Sequence, residues 1–221
     1  MERIPESEAI ARLQDAHRYN QVMSKGLVQH EYQALAREVI ELGVPAGGQV
    51  LDVGTGPGFI ALKVARLLGG RAHVVGLDLS PAMLAVAAEN AHQAGMNDDI
   101  TWREGDAKAM PFDDATFDVV VSSGSLHHWE DPRVVFNEIA RVLKPDGKCL
   151  IRDSKRLQRW PARVLAWGIG LTIPRDFRVH YWGSIRSSYT PDELRALLDR
   201  SALQGCKIVE DWMDLMIVKE G

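Results

Sequence analysis

The chain has 221 residues, 46% of them apolar and 25% charged, with 19 glycines and 10 prolines. This is the usage of one large globular domain or one domain with a modest appendage, and it excludes collagen-like, mucin-like and disordered chains. The net charge of −4 comes without a basic stripe, so a nucleic-acid partner is not expected.

In chain order, a weak helical pattern runs from Glu6 to Ser24 around Ile10, Leu13 and Ala16. A stronger one follows, with Val28, Tyr32, Leu35, Val39 and Leu42 on one face, ended by Gly43 and Pro45. Residues 1–48 therefore read as a helical cap. From residue 49 short apolar strands alternate with helices. Gln49–Val53 is a predicted strand and Phe59–Leu68 a helix closed by Gly69-Gly70. His73–Leu77 is the second strand, after which Ser80 caps a helix with Pro81 in its first turn, running to about His92. Ile100–Arg103 and Phe117–Ser122 are strands, and Asp131-Pro132 opens a helix ending near Leu143. Lys144-Pro145-Asp146-Gly147 then turns into a fifth strand, Lys148–Arg152. Alternation of this kind builds βαβ units on a parallel sheet.

Residues 154–189 break the rhythm with Trp160, Trp167, Tyr181, Trp182 and Tyr189 among several arginines. A segment this long is more than a plain loop and is read as a lid or binding element. Thr190-Pro191-Asp192-Glu193 is a capping box that starts a helix through Leu198, and two strands follow at Lys207–Val209 and Met213–Val218. Cys149 and Cys206 sit in apolar runs outside any CxxC, so neither a disulfide framework nor a metal site is predicted. The longest apolar run, Val164–Ile173, has ten residues, about half of a bilayer span. The first residues lack the apolar core of a signal peptide, and a cytoplasmic location is expected.

The chemistry concentrates at the first strand's end, in Val50-Leu51-Asp52-Val53-Gly54-Thr55-Gly56-Pro57-Gly58-Phe59. Glycines here permit a sharp turn and close approach of backbone to a ligand, and the helix beyond offers free N–H groups. The spacing is G-x-G-x-G, with Phe59 where a dinucleotide fingerprint has its third glycine. Asp52 would repel a pyrophosphate and suit a cationic ligand. Twenty residues past Gly58, the second strand ends at Asp78, placed to accept the two hydroxyls of a ribose. A ribose with a cationic amino-acid tail describes S-adenosylmethionine.

Residues 50–152 resemble a class I S-adenosylmethionine-dependent methyltransferase, most nearly the ubiquinone/menaquinone-biosynthesis type. The resemblance rests on the glycine loop, Asp78-Leu79-Ser80-Pro81-Ala82-Met83-Leu84, Gly105-Asp106-Ala107 and Met110-Pro111-Phe112 leading to Phe117-Asp118-Val119-Val120. It continues through Ser125-Leu126-His127-His128-Trp129 and Arg141-Val142-Leu143-Lys144-Pro145-Asp146-Gly147. It implies an α/β, Rossmann-like, doubly wound seven-stranded sheet, mostly parallel with an antiparallel last strand and helices on both faces. The N-terminal cap and an insertion after the fifth strand, residues 154–189, would flank a cofactor domain over 49–221. Gly54, Thr55, Gly56 and Gly58 would line the methionine portion, with Asp52 at its ammonium. Asp78 would hold the ribose, Leu79 would lie against the adenine, and Asp106 and Ala107 would contact its ring. Ser122 and Ser123 would touch the methionine end, and Tyr19 is the candidate to reach the methyl donor.

Methyl transfer from a sulfonium develops no oxyanion, so alignment and exclusion of water carry most of it. A general base helps where the acceptor is not already ionised, and His127 or His128 is the candidate for that role or for orienting the substrate. No zinc ligand set has a recognisable spacing. In the lid, Arg178 and Arg186 would meet an anionic group, and Tyr181 and Trp182 an apolar or ring-shaped acceptor. The implied function is C-, O- or N-methylation of a small apolar or aromatic molecule, with S-adenosylhomocysteine as product. The alternative is a protein of the same fold that binds this cofactor without transferring methyl. Ser122-Ser123-Gly124-Ser125 replaces the tetrapeptide of amino-methylating nucleic-acid enzymes, and two cysteines are too few for an arsenic-type enzyme. A monomer or homodimer is expected, with no stable membrane insertion, although the apolar run from Val164 would allow transient contact with a membrane surface.

Overall fold

A computed structural model of the chain describes residues 3–4, 10–158 and 160–220. Its seven strands are β1 (Gln49–Val53), β2 (His73–Asp78), β3 (Ile100–Glu104), β4 (Phe117–Ser123), β5 (Leu143–Ser154), β6 (Lys207–Glu210) and β7 (Asp214–Lys219). They form one sheet in the order β3-β2-β1-β4-β5-β7-β6, so the chain reverses direction across the sheet between β1 and β4. Neighbours from β3 to β5 are parallel, and β7 runs antiparallel to both β5 and β6.

The central strands are covered on both faces, which is why they read as continuous Val/Leu/Ile runs rather than alternating ones. Leu51 of β1 stands opposite Val75 and Val120, and all three are buried. On one face, α2 (Leu27–Glu41) and α3 (Phe59–Leu68) bury Leu35, Val39, Ile60 and Val64 against Val50 and Val119. On the other, α5 (Pro132–Val142) and α8 (Pro191–Leu198) bury Phe136, Ile139, Leu194 and Leu198 against Val120 and Ile151. Both cysteines are free and buried in this second core.

The capping signals take the roles their residue types dictate. The Ser80 hydroxyl accepts the Met83 N–H at 3.1 Å at the head of α4 (Pro81–Gln93), and Asp131 caps α5. Thr190 and Glu193 complete a reciprocal capping box on α8. α1 (Leu13–Met23) lies on α4, where Ala16 meets Met83 and Val86. The part of the first helical pattern between Glu6 and Ala9 lies outside the described residues.

Two regions depart from the sequence reading. β5 begins at Leu143, not Lys148, because buried Leu143 pairs with Phe117. A register shift between Phe117 and Val119 accommodates the exposed Pro145 and Asp146. The insertion is ordered into α6 (Trp160–Thr172) and α7 (Arg178–Ser187), joined by a 3-10 turn at Arg175–Phe177. Leu157, Ala166 and Ile185 give this lid a small core of its own.

Candidate functional site

The carboxyl ends of β1, β2, β4 and β5 converge where the strand order reverses, the place where open α/β sheets take ligands. Asp52, at the end of β1, is 1% exposed. One carboxylate oxygen accepts the Thr55 hydroxyl at 2.6 Å and the Ala61 N–H at 3.2 Å, tying strand, loop and helix together. Burial still outweighs these bonds and pushes its pKa up to about 7.

Asp78 ends β2 and closes across the loop, accepting the Gly56 N–H at 2.7 Å and the Ser80 N–H at 2.8 Å. Its pKa is also raised, chiefly by burial. Among the described residues no lysine or arginine pairs with either carboxylate, so the pocket is suited to a cationic ligand. Gly56, at φ +52°, has no atom within 4 Å of where a Cβ would stand, which leaves room beside Asp78. Gly58 does different work. At φ +79°, its Cβ would lie 2.5 Å from the Trp102 ring, so it lets β3 pack beneath the loop rather than opening space above it. Gly54 likewise gives way to Ser125. These residues fit a ribose and an ammonium group: Asp78 and Gly56 would hold the former, and a cation beside Asp52 would favour its ionised form.

Leu79 is 55% exposed beside Asp78, as a surface for an adenine requires. Asp106 and Ala107 are half-buried beyond β3, with Asp106 accepting the Lys108 N–H at 2.8 Å. Ser122 is fully buried, donates to the Val53 carbonyl at 2.8 Å and contacts Ser125 at 2.6 Å, so its hydroxyl braces β4 against β1; Ser123 is half-buried.

After β4, a 3-10 turn carries His127 inward and His128 outward, with ring centroids 4.0 Å apart. His127 is buried against Asp153 near the end of β5, a residue the sequence reading missed. Asp153 accepts the His127 N–H at 2.9 Å, the His127 Nδ1–H at 2.8 Å and the Ser154 N–H at 2.6 Å. A carboxylate can only accept, so Nδ1 carries a hydrogen, and in the neutral imidazole the lone pair is then on Nε2. Among the described residues no cluster of metal-ligating side chains is present.

The roof comes from α1 and the lid. Asn20 exchanges side-chain hydrogen bonds with Asn90, which also donates to the Pro57 carbonyl at 2.9 Å and so fixes α1 over the glycine loop. Tyr19 packs against Phe177 of the lid, ring centroids 5.7 Å apart, and Arg18 binds Asp176 at 2.8 Å. Burial, then the charges of Asp78 and Asp153, push the Tyr19 pKa up to about 12. It remains a neutral phenol near neutral pH, chemically able to donate a hydrogen bond but not to act as a base. Of the lid candidates, Trp182 and Arg186 line a cavity of about 410 Å³ formed by residues 156–186 alone. Arg178 instead donates to the Leu171 and Ile173 carbonyls, and the Tyr181 hydroxyl to the Ala166 carbonyl, bonds that hold the lid's helices together.

Comparison with known proteins agrees with this arrangement. Residues 51–151 match the family described as "Methyltransferase domain". The ubiquinone/menaquinone biosynthesis C-methyltransferase of Roseobacter denitrificans is 34% identical over 176 residues, covering 76% of this chain and 68% of the relative. The 2-phytyl-1,4-naphthoquinone methyltransferase of Thermosynechococcus vestitus is 32% identical over 213 residues, covering 90% of this chain and 89% of the relative. In fold, an S-adenosylmethionine-dependent methyltransferase from Aquifex aeolicus superposes with a TM-score of 0.68 at 19% identity, over 94% of this chain and 97% of that one.

Proposed function

The chain belongs to the class I S-adenosylmethionine-dependent methyltransferases, and from that premise we propose that it methylates a ring carbon of a quinone-type acceptor in its reduced, hydroquinone form. The observation that carries this reading is the buried His127–Asp153 pair beneath an aromatic roof. Bound S-adenosylmethionine supplies an electrophilic methyl on a charged sulfur. What the protein must add is a nucleophile held in line and kept from water.

A neutral hydroquinone carbon is a weak nucleophile. Removing the hydroxyl proton lets the oxygen's electron pair move into the ring and sharpen the carbon. His127 Nε2 is assigned that proton. Once the ring carbon has taken the methyl and the neutral thioether has left, loss of the hydrogen on that same carbon as a proton restores the aromatic ring. The hydroxyl is reprotonated from His127. Asp153 fixes the tautomer through Nδ1 and steadies the imidazolium that forms. Tyr19, a neutral phenol beneath the lid, would orient the acceptor by donating a hydrogen bond. Asp78 and the Gly56 turn hold the cofactor's ribose, and Asp52 favours its ammonium. Relatives named for quinone methylation support the acceptor class, since two of them align over most of this chain.

The test is methyl transfer to a short-tailed 1,4-naphthohydroquinone, with the product's methyl located by NMR. A C-methyl product is expected. Transfer only to oxygen, or only to amines in a parallel panel, overturns the reading. Asp153→Asn should lower kcat about 100-fold and alter the pH profile, with S-adenosylhomocysteine affinity unchanged. Asp78→Ala should instead weaken that affinity about 100-fold by calorimetry, because it removes an acceptor bonded to both loop and ligand.

A further inference from the structure

The lid holds a feature that cofactor binding does not use, on the exposed side of α6 that also walls the cavity lined by Trp182 and Arg186. Trp160, Val164, Trp167 and Leu171 fall on one stripe of α6 and are 75%, 57%, 60% and 50% exposed. Ala166 and Gly170, on another side of the same helix, face the lid's core. Val179 of α7 adds a fifth exposed apolar side chain at 69%. Single exposed apolar residues are ordinary, but a continuous stripe bearing two tryptophans is not.

Charge is segregated in the same place. Residues 154–189 contain seven lysines and arginines and one aspartate, a net charge of +6, within a chain of net charge −4. The remainder therefore carries −10. The lid's single acid, Asp176, is neutralised by Arg18 of α1. Among the described residues no carboxylate pairs with Arg163, Arg175 or Arg186, whereas Arg156 is bound by Glu193.

We propose that α6 docks on the surface of an anionic lipid bilayer, its tryptophan stripe in the headgroup region and the neighbouring arginines against the lipid charges. An apolar stripe with cationic flanks, on a helix too short to span, is the form of an interfacial element. The charge pattern selects this occupant. A second lid would repel the first, while an anionic surface attracts the lid and repels the acidic remainder, which orients the molecule. The contacts of Tyr19 with Phe177 and of Arg18 with Asp176 place the docked lid next to the active site. This goes beyond the acceptor's identity and stands whether or not the acceptor is itself a lipid.

Flotation of the full chain tests it, using vesicles of phosphatidylcholine alone and of phosphatidylcholine mixed with phosphatidylglycerol. Partition onto the mixed vesicles is expected, with a blue shift of tryptophan emission and release at roughly 0.5 M salt, where charges are screened within a few ångströms. Trp160→Ser with Trp167→Ser should lower partition at least about tenfold. Arg163→Glu with Arg175→Glu should lower it about fivefold for each charge removed. Unchanged S-adenosylhomocysteine affinity and melting temperature show that both variants fold. Equal partition onto the two vesicle types, or none onto either, overturns the proposal. So does a wild-type dimer that becomes monomeric in the tryptophan variant, which would assign the stripe to a second copy.

Discussion

The strand-end pocket and the lid handle exposed chemistry in opposite ways. In the pocket, acidic groups are drawn inward and held by neighbours. Asp52 is bonded by Thr55 and Ala61, Asp78 by Gly56 and Ser80, and Asp153 by His127 and Ser154. In the lid, apolar groups are turned outward, and Arg178 and Tyr181 are consumed in holding two short helices together. The pocket is over-determined because a charge buried without partners is costly. The lid has only a small core, Leu157, Ala166 and Ile185, and leaves much of its apolar surface uncovered. Preorganisation therefore belongs to the cofactor's site and adaptability to the acceptor's side.

The sharpest attempt to break this contrast is Gly58→Ala. The added methyl would stand 2.5 Å from Trp102 and 3.1 Å from Ala87, at a φ of +79° that alanine resists. A loss of about 3 kcal/mol or more is expected in denaturant unfolding, with weakened cofactor binding as the loop shifts. A loss below about 1 kcal/mol would mean that the loop is not over-determined.

A smaller effect tests the cost of the buried acids. Asp52 has a folded-state pKa of about 7, above its ordinary value, because burial disfavours the charge. A raised folded-state pKa means stability is greatest while the group is protonated and is lost as pH rises through about 7. Between pH 6 and 8 this loss amounts to about 1 kcal/mol. Asp78 is shifted in the same direction, so the wild-type slope has more than one source. Asp52→Asn keeps a carbonyl for Thr55 and Ala61 but cannot ionise. The difference between wild type and variant in melting against pH isolates this residue, and parallel curves would remove it as a cost.

The same contrast explains what was legible in the sequence. The strands, the glycine turn, Asp78 and the caps at Ser80, Asp131 and Thr190 were readable because each is a local signal, complete within a few residues. Asp153 was not, since His127 meets it only through the parallel pairing of β4 and β5, 26 residues apart. Its position near the end of β5, matching Asp52 and Asp78 on their strands, was the available clue. Gly58 was legible as a glycine but not in its purpose, because Trp102 arrives from β3. The lid's helices were obscured because α6 is apolar on its outward face as well as its inner one, which erases the amphipathic period.

The gentlest change tests the lid itself. Gly168 lies mid-way along α6, exposed, with nothing within 4 Å of where a Cβ would stand. Gly170, two residues on, lies 3.5 Å by the same measure from both Tyr181 and Trp182 and is the glycine the packing uses. In an exposed helix interior, alanine outranks glycine by about 1 kcal/mol, because glycine surrenders more backbone freedom on folding. Gly168→Ala should therefore stabilise the lid by up to about that amount. Hydrogen exchange over residues 160–172 reads this locally, where global melting would dilute it. Slower exchange there, with no change in the strand-end segments, is the expected result. Faster exchange would mean that α6 depends on a glycine its surroundings do not explain, and the lid would then be as tightly specified as the pocket beneath it.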